Sequence, residues 1–249
     1  MMNVLVPALG TSAFYKEYLF PKLLFEIDGV TMLERVVNNL KSFHSYRPIF
    51  IFDAKQCSEF HLDSSVNLLT EGNSKILMLK GETAGALCTC LMAIDDINVD
   101  EPLVIVNSDQ ILDVNYSEVI DCFVQKGAEA GVIGFKNIHP RWSYYYQNEE
   151  TGLIEEVAEK RPLSNTAIAG FYYFKSGSVF VEMAKAAVLK GSSYQGQFYI
   201  SAVLNEYILN NMKVMAYQIE PSQYHSFYSP DKVNQYESQI RLGRKNEKL

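Results

Sequence analysis

Residues 103–110 read Leu-Val-Ile-Val-Asn-Ser-Asp-Gln. Four apolar residues in a row, three of them β-branched, leave no face for water, as in a strand covered on both sides. The run then breaks into polar side chains, and in open α/β sheets ligands gather at that end of the parallel strands. Working outward, Asn3-Val-Leu-Val-Pro-Ala8 has the same continuous apolar character, and Ile49-Phe-Ile-Phe52, Lys75-Ile-Leu-Met-Leu79 and Gly131-Val-Ile-Gly-Phe135 are further strand candidates. Helices are expected between them. Thr31-Met-Leu-Glu34 is a capping box with Leu33, Val36, Val37 and Leu40 at helical spacing behind it. A second helix should begin near Thr83. Asn115 with Glu118 caps a third, which buries Val119, Ile120, Phe123 and Val124 and closes at Gly127.

The resulting order is β, α, β, β, α, β, α, β, which argues for a mainly parallel sheet flanked by helices. After residue 136 the pattern changes. Tyr144 to Gln147 and Leu153 to Val157 flank the turn signal Glu149-Glu-Thr-Gly152, so a hairpin is expected. A long strand over 167–174, helices over about 178–190 and 198–210, a strand over 214–219 and a helix from Ser229-Pro-Asp231 complete the reading. The expected architecture is one α/β domain, Rossmann-like, with a mixed, mainly parallel central sheet. It spans 1–240, with an N-terminal half of about 1–136, a second half of about 137–240 and a frayed basic tail over 241–249.

Composition narrows the partners. A formal net charge of −7 offers no broad basic surface for a nucleic-acid backbone. The cysteines Cys57, Cys88, Cys90 and Cys122 form neither a C-x-x-C pair nor a metal spacing, so buried thiols in a reducing compartment are expected. With no membrane-span-length apolar run and no leader-like start, a cytoplasmic protein without membrane contact is predicted. A homo-oligomer is left open.

Three segments fall at the carboxyl ends of the predicted strands, and their residue types fit a nucleoside triphosphate with a metal. The loop 9–22 carries Gly10, Thr11, Ser12, Lys16 and Lys22, whose amides, hydroxyls and ammonium groups suit phosphate, although a loop of this kind can also be merely solvated. Glu82-Thr-Ala-Gly-Ala86 opens a helix, where Gly85 either lets a flat base approach the backbone or allows close packing. Asp109, just past a buried strand, suits Mg²⁺. Asp113 reads as a capping or solvated residue. Glu159-Lys160 follows the hairpin, and Gly170 inside a strand marks close approach by a ligand or another backbone. Trp142 and Tyr144-Tyr-Tyr146 read as packing, and the four histidines show no ligand spacing.

These segments, in this order, resemble the sugar-nucleotidyltransferase family, in particular the branch of capsule and surface-polysaccharide gene clusters. The resemblance runs from about residue 3 to 235. It rests on Pro21-Lys22-Leu23, Glu26-Ile-Asp-Gly29, Met32-Leu-Glu34, Thr83-Ala-Gly-Ala86 and Val106-Asn-Ser-Asp-Gln110. It continues through His139-Pro-Arg-Trp-Ser-Tyr144, Glu159-Lys160, Pro162-Leu-Ser-Asn165, Ala169-Gly-Phe-Tyr-Tyr173 and Gln197-Phe-Tyr-Ile200 with Asn205-Glu206. The resemblance implies a nucleotide-diphospho-sugar transferase fold and an Mg²⁺-dependent reaction. An NTP, with CTP or UTP favoured, is joined to a sugar 1-phosphate or other small phosphorylated acceptor, and pyrophosphate leaves. Lys22 and Lys16 would meet phosphate and Asp109 would hold Mg²⁺. Leu9, Gly10, Thr11, Ser12, Thr83, Gly85 and Ser108 would bind the nucleotide. Glu159, Lys160, Gly170 and Asn205 would bind the acceptor.

Two departures stand out. The family's loop reads G-x-G-x-R, whereas Leu9-Gly-Thr-Ser-Ala13 has no arginine, and Lys16 does not reproduce an arginine's fork. A further metal-binding aspartate, common in the family, has no counterpart in His225-Ser-Phe-Tyr-Ser-Pro230. A catalytically degenerate sensor or assembly protein that binds nucleotide or sugar phosphate is therefore the alternative. A glycosyltransferase is disfavoured, because the chain lacks a D-x-D motif.

Overall fold

The computed structural model describes residues 1–10 and 20–246. Met2–Pro7 (β1) is followed by a 3-10 turn at Lys22–Leu24, a small hairpin of Glu26–Ile27 (β2) and Val30–Thr31 (β3), and helix Met32–Leu40 (α1). The Thr31 side chain accepts from the Glu34 N–H, as the capping signal requires. Then come Tyr46–Asp53 (β4), Ala54–Phe60 (α2), Leu62–Leu69 (α3), Lys75–Leu79 (β5), Ala86–Leu91 (α4), Leu103–Val106 (β6) and Gln110–Leu112 (β7). Tyr116–Gln125 (α5), Ala130–Lys136 (β8), Ser143–Gln147 (β9), Ile154–Glu159 (β10) and Thr166–Phe174 (β11) follow. The remainder is Gly177–Leu189 (α6), Ser201–Leu209 (α7), Val214–Ile219 (β12), Tyr224–Ser226 (β13) and Pro230–Asn246 (α8), which continues past Arg241.

Nine strands form one mixed, mostly parallel sheet in the order β10-β9-β11-β6-β1-β4-β5, with β8 and β12 added beside β11. The strands β6, β1, β4 and β5 run parallel to one another, and β11 turns the sheet antiparallel at β6. This is the single α/β domain expected from the strand pattern. Its continuous apolar runs have a plain cause, because successive residues feed opposite cores. Val4, Phe50, Phe52, Val104 and Val106 pack with α1, α3 and α5, whereas Leu5, Ile49, Ile51, Leu103 and Ile105 pack with α4, α6 and α7.

On α5, Val119 and Phe123 are buried as expected but Val124 is exposed. Two features of the architecture also differ from the sequence reading. The stretch from β4 to β5 is not a plain connection but holds α2 and α3. Asp53 accepts from the Gln56 N–H at 2.8 Å to cap α2, and His61 at φ 51° lets α3 follow directly. Neither helix carries a long apolar stripe, so periodicity does not announce them. A second small sheet pairs β7 with β13, two three-residue strands whose register joins Gln110 to Ser226 and Leu112 to Tyr224. The amide of Asn39 on α1 supports β7, donating to the Leu112 carbonyl and accepting from its N–H, each at 3.0 Å.

Candidate nucleotide site

A cavity of about 1050 Å³ opens where β1, β4, β5 and β6 end, lined by residues just past each of them. Leu9 and Gly10 lie on it after β1, Asp53, Lys55 and Gln56 after β4, Gly81, Glu82 and Thr83 after β5, and Asn107, Ser108 and Asp109 after β6. Lys22, Glu59, Gly85, Gln197 and Tyr199 are also on its wall.

Lys22 is held by the 3-10 turn that Pro21 opens, and only 8 % of its surface is exposed. A buried ammonium needs a partner. It finds one in Asp109, whose carboxylate it meets at 3.0 Å. Asp109 is fixed through its main chain as well, since its carbonyl accepts from the Phe227 N–H at 3.0 Å, just beyond β13. The carboxylate remains 30 % exposed, on the cavity side of the pair.

Gly85 faces two demands at once. It lines the cavity, and at φ +113° a Cβ there would lie 2.5 Å from the Phe198 carbonyl oxygen. The Phe198 N–H donates to the Ala84 carbonyl at 2.7 Å, and Leu87 N–H donates to the Phe198 carbonyl at 3.0 Å. This close backbone approach carries Gln197 and Tyr199, from the second half of the chain, onto the cavity wall. Thr83 is oriented by its hydroxyl, 2.6 Å from that of Thr89.

The predicted acceptor residues are distributed differently. Glu159 lines a separate cavity of about 230 Å³, with Asn205 and Ser201. Burial pushes its carboxyl above the ordinary range, opposed by the hydroxyls of Ser143 and Ser201 and by the charge of Lys160. Lys160 donates to the Tyr199 hydroxyl at 2.8 Å and sits over the rings of Tyr194 and Tyr199. Tyr199 lines both cavities and is therefore the link between Lys160 and the larger one. Both ends of the Asn205 amide are engaged, the oxygen accepting from the Val157 N–H at 3.0 Å and the nitrogen donating to its carbonyl at 2.8 Å. Gly170 does not line either cavity. It sits at φ +61° where β11 shifts register, and a Cβ would meet Asn107 Nδ2 at 2.2 Å and Gln110 Oε1 at 2.5 Å. The close approach read from its sequence position is made by these two side chains, behind the cavity wall. Thr11, Ser12 and Lys16 lie outside the described residues.

The sequence reading assigned no role to Asp53, Lys55, Gln56, Glu59, Gln197 or Tyr199, all of which line the large cavity. For the first four, the signal was Asp53-Ala-Lys-Gln56, a helix-start spacing that follows a strand. Asp113 is 57 % exposed, as a solvated residue would be, and it also meets the His225 ring at 2.7 Å.

Among the described residues no group of three or more His, Cys, Asp or Glu side chains is placed to hold a metal ion. A hard oxygen donor such as Asp109 on the wall of a cavity nevertheless fits magnesium, which binds through one or two carboxylates and completes its shell with phosphate oxygens and water. Among the described residues no helix is long and apolar enough to cross a membrane.

The geometry agrees with what the chain is similar to. No curated protein matches it in sequence. A nucleoside-diphosphate-sugar pyrophosphorylase from Vibrio cholerae RC9 shares its fold, with a TM-score of 0.82, 19 % identity and coverage of 96 % of this chain and 100 % of that one. A Bacillus anthracis protein described as a glucose-1-phosphate thymidylyltransferase, crystallised with sucrose, superposes with a TM-score of 0.77 at 17 % identity, covering 97 % of this chain and 96 % of its own. The nucleotidyl transferase family profile matches residues 19–224, from the segment before Lys22 to the start of β13. The chain therefore belongs to the nucleotidyl transferase family.

Proposed function

We propose that the protein joins an NTP to a sugar 1-phosphate or another small phosphorylated acceptor and releases pyrophosphate. The observation that carries this is the Lys22–Asp109 pair on the wall of a cavity at the carboxyl ends of four parallel strands. An oxygen of the acceptor phosphate attacks the α-phosphorus in line, and the bond to the bridging oxygen of pyrophosphate breaks. Positioning and charge neutralisation carry such a reaction, with little covalent work for side chains. Lys22, with Lys16, meets the phosphates. Leu9, Gly10, Thr11, Ser12, Thr83, Gly85 and Ser108 surround the nucleotide, and a glycine-lined base pocket favours CTP or UTP. Glu159 and Lys160 meet the acceptor, with Asn205 holding α7 against β10 beside them. On this reading the N-terminal half, about 1–136, binds nucleotide and the second half, about 137–240, binds acceptor.

Charge supports a magnesium requirement. The described cavity wall carries four carboxylates (Asp53, Glu59, Glu82 and Asp109) against two ammonium groups (Lys22 and Lys55). A triphosphate brings roughly four further negative charges, and magnesium held by Asp109 would neutralise part of them. The resemblance to the capsule branch supports a role in surface-polysaccharide synthesis. Four free cysteines, two of them buried, agree with a cytoplasmic setting.

The test is pyrophosphate release from a panel of NTPs and phosphorylated acceptors, with and without magnesium. Asp109→Asn keeps an oxygen beside Lys22, so the buried ammonium is not stranded. It should lower turnover by about 10³-fold with the fold intact. Activity within tenfold of the unaltered protein would remove Asp109 from the metal site. One observation favours a binding-only protein instead: the residue whose N–H holds the Asp109 carbonyl is Phe227, so no second carboxylate arrives there. Nucleotide binding without turnover on any pair would select that reading.

A further inference from the structure

The hairpin of β2 and β3 is too small to hold its own place. Each strand has two residues, and Asp28 at φ 51° with Gly29 at φ 74° forms the whole loop between the paired Ile27 and Val30. Its position is set by three tethers. At the base, the Met32 N–H donates to the Phe25 carbonyl at 2.9 Å. Along one side, Arg35 of α1 donates from Nε to the Ile27 carbonyl at 3.1 Å. At the tip, the Asp28 N–H donates to Glu237 Oε1 of α8 at 2.8 Å, across 209 positions of chain.

Ile27 is buried in a small core of its own with Met32, Ile111, Phe227 and Val233, and Phe25 and Tyr236 pack against it. Both members of the Lys22–Asp109 pair are tied to this core. The Lys22 carbonyl accepts from the Phe25 N–H at 3.0 Å, and Phe25 alone separates the 3-10 turn from β2. The Asp109 carbonyl accepts from the N–H of Phe227, a member of the same core. Leu23 roots the turn from the other side, in the larger core around α1. Helix α8 gives Val233 and Tyr236 to the small core and Glu237 to the hairpin tip, yet none of its described residues lines the cavity at the strand ends. Its influence on that cavity must pass through other residues.

We infer that Glu237 is a positioning residue for the transfer reaction: its carboxylate fixes the hairpin tip, and the hairpin fixes the Lys22 turn against Asp109. This role rests on the transfer reading, in which Lys22 meets the phosphates. A backbone N–H bonded to a carboxylate makes a stronger bond than one to a neutral oxygen. Without it, the tip of a hairpin with only two paired positions is held from α1 alone. A displacement of about 1 Å in a reacting group can cost on the order of 10²-fold in rate. Lys22 is buried and bonded to a single carboxylate, so it has little room to correct such a displacement.

The test compares Glu237→Ala with Glu237→Gln. In pyrophosphate release, Glu237→Ala should lower kcat about tenfold while the KM for NTP stays within about threefold. Glu237→Gln keeps an oxygen for the Asp28 N–H and gives up only the charge and an exposed 3.7 Å contact with Arg241, so kcat should return to within about threefold of the unaltered rate. A lowered denaturation midpoint with kcat unchanged in Glu237→Ala would make the contact merely structural and overturn the inference, as would equal kcat losses in the two variants. Amide hydrogen exchange needs no turnover. Over residues 20–31 it should quicken about tenfold or more in Glu237→Ala, while residues 103–106 keep their protection. Unchanged exchange over 20–31 would also overturn the inference. An unaltered protein that releases no pyrophosphate would count against the transfer reading, and exchange would still show whether Glu237 holds the Lys22 turn.

Discussion

Along β1, β4, β5 and β6, the polar residues that follow each strand face a common cavity, whereas along β9, β10 and β11 most of their counterparts face other parts of the protein. Lys22 and Asp109 are paired, but the pair lies on the cavity wall. Asn205 is paired too, yet both ends of its amide are closed onto Val157 of an edge strand. Parallel strands release their chains at the same end of the sheet, so short polar segments converge without further help. Antiparallel strands alternate in direction, so side chains there must be brought to a site by other means. Gly85 provides one, by letting the Phe198 segment carry Tyr199 across.

Substitutions in the antiparallel half should therefore report on stability before they report on catalysis. Gly170→Ala is expected to have the largest effect. It forces a side chain into left-handed backbone and against Asn107 and Gln110, at a cost of about 4 kcal/mol. Chemical denaturation measures it, and an undiminished midpoint would break the contrast. Asn205→Ala strands the Val157 N–H and carbonyl, for a loss of about 2 kcal/mol. Acceptor KM should move less than threefold, and a large rise in KM with unchanged stability would return Asn205 to the acceptor.

Glu159→Gln should show the smallest effect, and it is visible through pH. Burial raises the Glu159 carboxyl in the folded protein, so the folded state holds this proton more tightly than the unfolded chain does. The unaltered protein should lose stability as pH rises from the ordinary carboxylate value through that raised one. The glutamine variant lacks this slope. Denaturation midpoints across pH 4 to 7 should converge at the acid end and favour the variant at the neutral end, by on the order of 1 kcal/mol or less. Parallel curves would mean that Ser143 and Ser201 compensate burial fully.

Much of the parallel half was legible in the sequence. Thr31 and Asn115 announce their helices, and both make the side-chain caps expected of them. Residues 103–110 place a carboxylate at a strand end because a sheet covered on both faces leaves a polar side chain nowhere else to go. The wall formed by α2 was missed because that helix buries only Cys57 fully, too little to print a period. The β7–β13 ladder was missed for another reason. Three residues carry no alternation to read, and their partners are more than a hundred positions away. Gly170 shows where local inference stops, since the sequence records that something approaches but not whether it is a ligand or a neighbour.

The β7–β13 ladder also sets an order of events. Asp109 is made early and ends a strand of the central sheet, but the Phe227 N–H that fixes its carbonyl comes much later in the chain. During synthesis the parallel strands can assemble while the Asp109 carbonyl still lacks this tether. The cavity at the ends of β1, β4, β5 and β6 is thus among the last parts of the molecule to mature, and a nascent chain stopped short of β13 would hold a formed sheet around an unfinished pocket.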